Sequence, residues 1–429
     1  MASAFVGKAS QGPARSCMLA WRVHKFGPPE AMVLESVPRP DPGPGEVLVD
    51  VHAAGVGPWD GWIRAGKSAL PQPLPLTLGS DLSGTVAAVG SGISEMAIGD
   101  QVFGVTNAQF LGAYAEYAVA SAGMLAKKPG SLSYAEAASV PVVAVTAWQG
   151  LFDHARLEAG QTVVIHGAAG NVGAYAVQLA RRARLRSIAT AGTKDIQYVR
   201  SLGADTVLDY HTQRFEDEVK DVDAVLDLVG GETQMRSFQV LRPGGKLISA
   251  VSQPDQHRAK YHGVTAAFFL VEVTTERLRT IAELIDRGEL KSCVGAVLPL
   301  TEAREAHMML EGRLIPPKGK IVLNIETAGE GVETAAAAVR AGLPAAPVRK
   351  GSWLRKNVSE RSKATSDWLA STLRRADWLF LRLRGLETLL KLPEVILSDL
   401  ETPRQPAAQA RIAARSGFTP TMFITRVRL

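Results

Sequence analysis

Apolar and polar positions follow two different rhythms along this chain. From Leu19 to about Leu125 they alternate in short runs broken by glycine and proline, the pattern of half-buried strands. Strands are predicted at 18–24, 46–53, 84–89, 101–105 and 113–119, with the proline- and glycine-rich stretch 38–45 turning the chain between the first two. Residues 134–155 change character, being rich in alanine and valine at helical spacing. The charge-free, β-branched run Thr162, Val163, Val164, Ile165 then predicts a parallel strand buried on both faces. Beyond it the two rhythms alternate. Strands are predicted at 187–190, 206–209, 224–229 and 246–251, and helices at 172–184, 194–201, 232–241 and 278–287. That alternation predicts a doubly wound parallel sheet. Segments 294–300, 302–311 and 320–325 read as a return to the first domain. The parallel-sheet domain is therefore expected as an insertion near the end of a mostly β domain.

Length and charge refine this picture. At 429 residues the chain is too long for one ordinary core. The net charge is +6, but most of the excess Lys and Arg falls in residues 330–429, so the main body is near neutral and offers nothing basic for nucleic acid. The two cysteines, Cys17 and Cys293, lie far apart and form neither a disulfide framework nor a metal-ligand cluster, which fits a reducing, cytoplasmic setting. No apolar run approaches the ~18–20 residues of a membrane span. Residues 1–17 are small, polar and free of acid, and read as a disordered extension or a targeting segment.

The strand at 162–165 leads into Gly167, Gly170 and Gly173, and from Val172 onward Val172, Ala176, Val177, Leu179 and Ala180 share one helical face. Strand, glycine turn and helix together make an entry for a dinucleotide. The glycines permit a sharp turn and close approach to a pyrophosphate, and the helix N-terminus offers N–H groups and positive dipole. Gly167, Ala169, Gly170, Asn171, Val172 and Gly173 are the candidate cradle. An Asp or Glu roughly twenty residues on would hold the ribose 2′-hydroxyl of NAD. That place reads Thr190-Ala-Gly192-Thr193-Lys194, where a lysine could pair with a 2′-phosphate. A solvated lysine opening a helix is the other reading, and Asp195 beside it speaks for that.

Several motifs occur in order: Phe26-Gly-Pro-Pro-Glu30, Leu78-Gly-Ser-Asp-Leu-Ser-Gly-Thr-Val86, Gly99-Asp-Gln-Val-Phe-Gly104, Gly112-Ala-Tyr-Ala-Glu-Tyr117, Thr146-Ala-Trp148, His166-Gly-Ala-Ala-Gly-Asn-Val-Gly173 and Gly319-Lys-Ile-Val-Leu323. From about Met18 to Ile325 the chain thus resembles the zinc-free quinone oxidoreductases, the ζ-crystallin-like branch of the medium-chain dehydrogenase/reductase superfamily. The resemblance implies an α/β protein with a GroES-like, mostly β domain (18–140 and 290–326) and an inserted doubly wound Rossmann domain (141–289). It implies NADPH as cofactor, with Lys194 and Tyr210 at the 2′-phosphate. Further cofactor contacts are implied at Thr146, Val229, Gly230, Ala250 and Val251, with Phe269 and Val271 passing near the nicotinamide. Lys320 either reaches the cofactor or is a surface lysine at a strand start. A homodimer is implied too.

Zinc-dependent members of the superfamily use a cysteine and then a histidine–glutamate pair in the first domain. Here those stretches read Gly55-Val-Gly-Pro-Trp-Asp60, with no thiolate, and Gly79-Ser-Asp81, with Ser80 in the histidine's place. The implied reaction is hydride transfer to a quinone or an α,β-unsaturated carbonyl, which needs orientation and exclusion of water more than a metal. Relatives often carry an asparagine and a tyrosine where Gly57 and Trp62 stand. Trp59, Asp60, Trp62 and Arg64 are the candidates for the substrate-pocket wall, against a reading in which the tryptophans pack and Asp60 caps a turn. His166 reads as structural. The rival function is a nucleotide-binding protein with a structural or RNA-binding role and little turnover. Residues 327–429 read as a linker followed by a basic amphipathic helix at 367–392, suited to packing, to a partner or to peripheral membrane contact.

Overall fold

The structure is a computed structural model and describes residues 17–325. The expected N-terminal extension, Cys17 apart, and the expected linker and helical tail lie outside the described residues. The first domain opens with β1 (Cys17–Val23), β2 (Met32–Pro38) and β3 (Glu46–Val56). After the short helix α1 (Pro58–Arg64) come β4 (Leu76–Thr77), β5 (Asp81–Val89), β6 (Gln101–Val105), β7 (Tyr117–Ser121) and β8 (Leu125–Lys127). Helix α2 (Tyr134–Ala138) starts at a reciprocal cap between Ser133 and Glu136, and α3 (Pro141–Trp148) continues into a π-helical turn at Gln149–His154.

The second domain alternates as its sequence rhythm predicts. It runs β9 (Thr162–Ile165), α4 (Asn171–Arg182), β10 (Arg186–Ala191), α5 (Ile196–Ser201), β11 (Thr206–Asp209), α6 (Phe215–Glu218) and β12 (Val222–Asp227). Then come α7 (Gly231–Ser237), β13 (Leu241–Ser249), α8 (Gln256–His262), β14 (Thr265–Phe268) and α9 (Thr275–Asp286). The chain closes with β15 (Val294–Pro299), α10 (Ala303–Leu310) and β16 (Lys320–Asn324). Strand β16 pairs with β3 and β15, so the chain does return to the first domain.

The first domain is built on a large sheet of order β15-β16-β3-β5-β6-β8, with β7 also pairing β3, and a small sheet of order β2-β1-β4. The second is one parallel sheet of order β11-β10-β9-β12-β13-β14. Strand β9 sits in its middle, and its side chains explain why. Val163 and Ile165 enter the core beneath α3 and α4, while Val164 enters the opposite core with Phe215 and Phe238. All three are fully buried, each such burial stabilising by roughly 1.5–3 kcal/mol.

Four predicted segments are corrected. The strand expected at 113–119 starts only at Tyr117, because residues 114–116 cross from one sheet to the other. The Trp21 N–H donates to the Tyr114 carbonyl (2.9 Å) and the Glu116 N–H to the Leu19 carbonyl (3.0 Å). Strand β12 ends at Asp227 rather than 229, helix α7 ends at Ser237 rather than 241, and β13 already begins at Leu241. Elements with little periodic apolar signal, namely β2, α1, β4, β8, α6, α8 and β14, were not predicted.

Candidate functional site

The glycine turn after β9 brings the start of α4 close to the strand end. Gly167 is left-handed (φ 68°), and a Cβ on Gly173 would lie 2.3 Å from the Gly167 carbonyl oxygen, so only glycine lets α4 pack this close. Helix α4 starts from Gly170 with no side-chain cap, which leaves its first-turn N–H groups for a ligand. Ala169, Asn171 and Val172 are half-buried at this mouth. His166, just before the turn, is fully buried. Its Nδ1 lies 3.0 Å from Thr190 Oγ1 and its Nε2 3.1 Å from Ser237 Oγ, and burial lowers its pKa to about 4. It is a neutral internal strut, and Thr190 is its partner.

One corner of the cleft lies at the end of β10. Gly192 is buried, and the position of a Cβ on it would be 3.0 Å from the Tyr210 hydroxyl and 3.3 Å from His211 Nε2. Tyr210 and His211 therefore lean over Gly192, with Tyr210 58 % exposed. Lys194 is exposed two residues further on. Its acidic neighbour Asp195 is turned away to Lys318 Nζ at 2.5 Å. Thr193 Oγ1 donates to Asp209 Oδ2 (2.6 Å), and this bond with the His211 N–H holds the Asp209 carboxyl below the usual range.

The cleft floor is organised by Asp227, which the sequence reading passed over. Its Oδ1 accepts from the Val229 (3.0 Å) and Gly230 (2.8 Å) N–H groups, and its Oδ2 from Gln234 Nε2 (2.8 Å) and Ser249 Oγ (2.9 Å). Ser249 Oγ in turn accepts from the Val251 and Ser252 N–H groups (3.3 and 3.2 Å). One buried carboxylate thus shapes both loops that carry Val229, Gly230, Ala250 and Val251. Val229 is 48 % exposed and lies over Gly167. Thr146 is buried on α3 and donates to the Val142 carbonyl (2.7 Å). Phe269 packs in the second domain's core against the His154 ring, and Val271 is half-buried beside that core.

The facing wall comes from the first domain. Asp81 and Lys320 form a buried ion pair (2.7 Å, 0 % and 1 % exposed). Asp81 Oδ1 also accepts from the Val142 N–H at the start of α3 (3.1 Å), tying the two domains together. Burial pushes the Asp81 carboxyl up, against the pull of Lys320. The Lys320 ammonium lies 4.2 Å from the centre of the Trp59 ring, whose Nε1–H donates to Ser80 Oγ (3.0 Å). Lys320 is therefore no surface lysine.

Helix α1 divides the four candidates for the pocket wall between two faces. Trp59 and Trp62 look outward, Trp59 half-buried and Trp62 51 % exposed. Asp60 and Arg64 look inward and are 0 % and 1 % exposed. Asp60 Oδ2 accepts from the Gly57 N–H (2.8 Å), capping α1, and from the Tyr114 hydroxyl (3.0 Å). Burial raises its pKa to about 7. Arg64 donates to the Gly27 carbonyl (3.0 Å), to His307 Nδ1 (2.6 Å) and to Glu311. Burial and the Arg64 charge lower the His307 pKa to about 3. A residue missed in the sequence joins the outward face. Phe110 packs edge-on to Trp59, with ring centres 6.5 Å apart.

The fold and the site define a two-domain pyridine-nucleotide oxidoreductase of the medium-chain type, with a glycine cradle on the inserted sheet and an aromatic wall opposite. Residues 43–130 match the alcohol dehydrogenase GroES-like domain family, and residues 202–323 the zinc-binding dehydrogenase family. Human quinone oxidoreductase is 33 % identical over 307 residues, covering 68 % of this chain and 93 % of the relative. The 2-methylene-furan-3-one reductase of Solanum lycopersicum is 32 % identical over 324 residues, covering 72 % and 79 %. A mycobacterial protein solved in complex with NADPH superposes with a TM-score of 0.64 at 31 % identity, covering 72 % of this chain and all of that one. The chain belongs to the quinone oxidoreductase family, in the zinc-free branch of the medium-chain superfamily.

The zinc in the name of one matched family does not fit these residues. Ser80 is spent on Trp59, the Asp81 carboxylate is already neutralised by an ammonium, and Gly57 has no side chain. Among the described residues no three His, Cys, Asp or Glu side chains are grouped to hold a metal.

Proposed function

We propose that this protein is an NADPH-dependent, zinc-independent reductase that delivers hydride to a quinone or an α,β-unsaturated carbonyl. The observation that carries the cofactor choice is the corner at Gly192. A phenol and an imidazole lean over it, a lysine follows, and the one acid beside that lysine is engaged by Lys318. A 2′-phosphate suits such a corner, since charged donors bind its oxygens strongly. The bound dihydronicotinamide supplies the hydride. The α4 N-terminus and Gly167–Gly173 hold the pyrophosphate, Asp227 fixes the floor loops, and α1 carries the wall that orients the acceptor.

The family relatives named above are enzymes of this class, which favours turnover over a purely structural or RNA-binding role. A homodimer in the cytoplasm accompanies this reading. Among the described residues no helix is long and apolar enough to cross a membrane. The test is steady-state oxidation of NADPH and of NADH by purified protein with a panel of quinones and enones. Turnover with a lower KM for NADPH is the expected result. Absence of turnover with every acceptor would return the protein to the rival class.

A further inference from the structure

Strands β10 and β11 run parallel and in register, so Ala191 lies opposite Asp209 and the chain leaves both strands side by side. Ligands of doubly wound sheets bind outside such strand ends. Two short turns follow, and hydrogen bonds fix them both. Asp209 Oδ1 accepts from the His211 N–H (3.0 Å), and the Asp209 carbonyl accepts from the Thr212 and Gln213 N–H groups (3.0 and 2.8 Å). Gln213 Oε1 in return accepts from the Asp209 N–H (3.0 Å). Thr193 Oγ1 ties the turn after β10 to the same carboxylate (2.6 Å). His211 is thus an exposed side chain on a braced backbone.

Gly192 shows what this bracing leaves open. Its backbone is extended (φ −77°, ψ 157°), a conformation open to any residue, so the turn itself does not require glycine. What glycine gives is room. The point that a Cβ would occupy lies 3.0 Å from the Tyr210 hydroxyl and 3.3 Å from His211 Nε2. Two polar side chains therefore converge on one point above a bare backbone. Their ring centres are 4.4 Å apart, which keeps the imidazole beside the phenol. Among the described residues neither the hydroxyl nor Nε2 has a hydrogen-bond partner.

The charges around the imidazole suit an anion at that point. Lys194 stands exposed two residues past Gly192, and Asp195 is turned away to Lys318 Nζ (2.5 Å). Arg214, further along the loop, is held by Glu216 (2.8 Å). The Thr193 hydroxyl and the His211 N–H hold the Asp209 carboxyl below its usual range, so it stays charged and favours a protonated imidazole next to it.

We propose that His211 is a further donor to the 2′-phosphate of NADPH and makes the preference for NADPH over NADH depend on pH, an inference that rests on the NADPH reading above. Of the side-chain types that meet at this corner, only an imidazole ordinarily changes charge between about pH 5 and 8. The imidazolium gives a phosphate a charge-assisted hydrogen bond, and the neutral ring gives a weaker one. A phosphate monoester carries its second charge above about pH 6. Selectivity is therefore greatest near about pH 6 to 7, where both partners are charged, and falls as rising pH removes the imidazole proton. NADH presents a hydroxyl there, so its binding has no such slope.

The test uses the full chain and measures dissociation constants of NADPH and NADH, from the nucleotides' own fluorescence, at about pH 6.5, 7.5 and 8.5. Their ratio cancels pH effects common to both cofactors. Across that range NADPH should weaken by roughly ten-fold while NADH stays within about two-fold. His211→Gln keeps a neutral donor, so its NADPH affinity should be roughly ten-fold lower at the acid end and the slope should vanish. His211→Arg is charged throughout and should keep tight NADPH binding at the alkaline end. A ring that merely supported Tyr210 would instead weaken NADPH in both variants and at every pH alike. Melting curves establish that each variant is folded. A preference equal at every pH, or a slope retained in His211→Gln, overturns this inference while the NADPH reading stands on Lys194 and Tyr210. NADH bound as tightly as NADPH at every pH overturns both.

Discussion

Lys320 carries its charge at 1 % exposure, where desolvation costs several kcal/mol per ion in rough terms. Asp81 at 2.7 Å, the Trp59 ring and the neighbouring Val142 N–H make that placement tolerable. Removing one partner leaves the other charge buried and alone. Lys320→Met is therefore expected to destabilise the protein by about 3–5 kcal/mol, and the double variant Asp81→Asn/Lys320→Met to recover most of the loss. Urea unfolding of the two proteins checks this, and equal losses would mean that the pair is not coupled. Lys194 is the opposite case, an exposed lysine with no ion-pair partner among the described residues. If it serves the 2′-phosphate, Lys194→Ala should raise KM for NADPH roughly ten- to a hundred-fold and leave NADH use nearly unchanged, since a charged hydrogen bond is worth ~1.5–3 kcal/mol. Equal weakening of both cofactors would assign Lys194 to the fold.

At the scale of elements, α1 works as a two-sided plate, with Trp59 and Trp62 on its outer face and a polar network beneath. That network, together with His166 of the second domain, predicts opposite pH responses. Asp60 is raised to about 7, so its contribution to stability is full below the ordinary carboxylate value and is lost as pH rises through about 7. His307 and His166, lowered to about 3 and about 4, contribute fully above the ordinary histidine value and lose it as pH falls through those figures. The melting temperature of Asp60→Asn relative to the unmodified protein should therefore improve steadily from pH 4 to 8. Parallel curves would show that Asp60 ionisation is not linked to folding. The plate also marks the limit of what the sequence reveals. Strand β9, the glycine turn and the alternation that makes a parallel sheet were legible, because buried strands are apolar throughout and glycine spacing is fixed by backbone contacts. The inward turn of Arg64 was not, since nothing local in Trp-Asp-Gly-Trp-Ile-Arg tells that His307 and Glu311, some 240 positions away, receive the guanidinium. Asp227 was hidden because its role shows only when Val229 and Gly230 of the following loop, Gln234 of α7 and Ser249 of β13 are brought onto one carboxylate.

The two domains are linked by several polar contacts, three of them at Asp81, Thr275 and Lys318. Asp81 of the first domain accepts from α3, Thr275 at the start of α9 donates to the Ala122 and Leu125 carbonyls (3.1 and 2.7 Å), and Lys318 reaches Asp195. Among the described residues β16 joins the large sheet against β3, and β14 ends the parallel one. Residues beyond Ile325 are expected to be dispensable for the reductase fold. The lengths of the relatives agree, since 68 % of this chain already spans 93 % of the human protein. Removing residues 330–429 should leave NADPH binding and quinone turnover within a few-fold of the full chain. It should also lower the isoelectric point, because the excess of Lys and Arg lies in that segment. Co-sedimentation of both forms with vesicles containing anionic lipid then isolates what the basic segment adds, with loss of binding on truncation assigning it a membrane role. A truncated protein that is insoluble, or that loses cofactor affinity where the full chain keeps it, would mean that the segment is part of the folded enzyme.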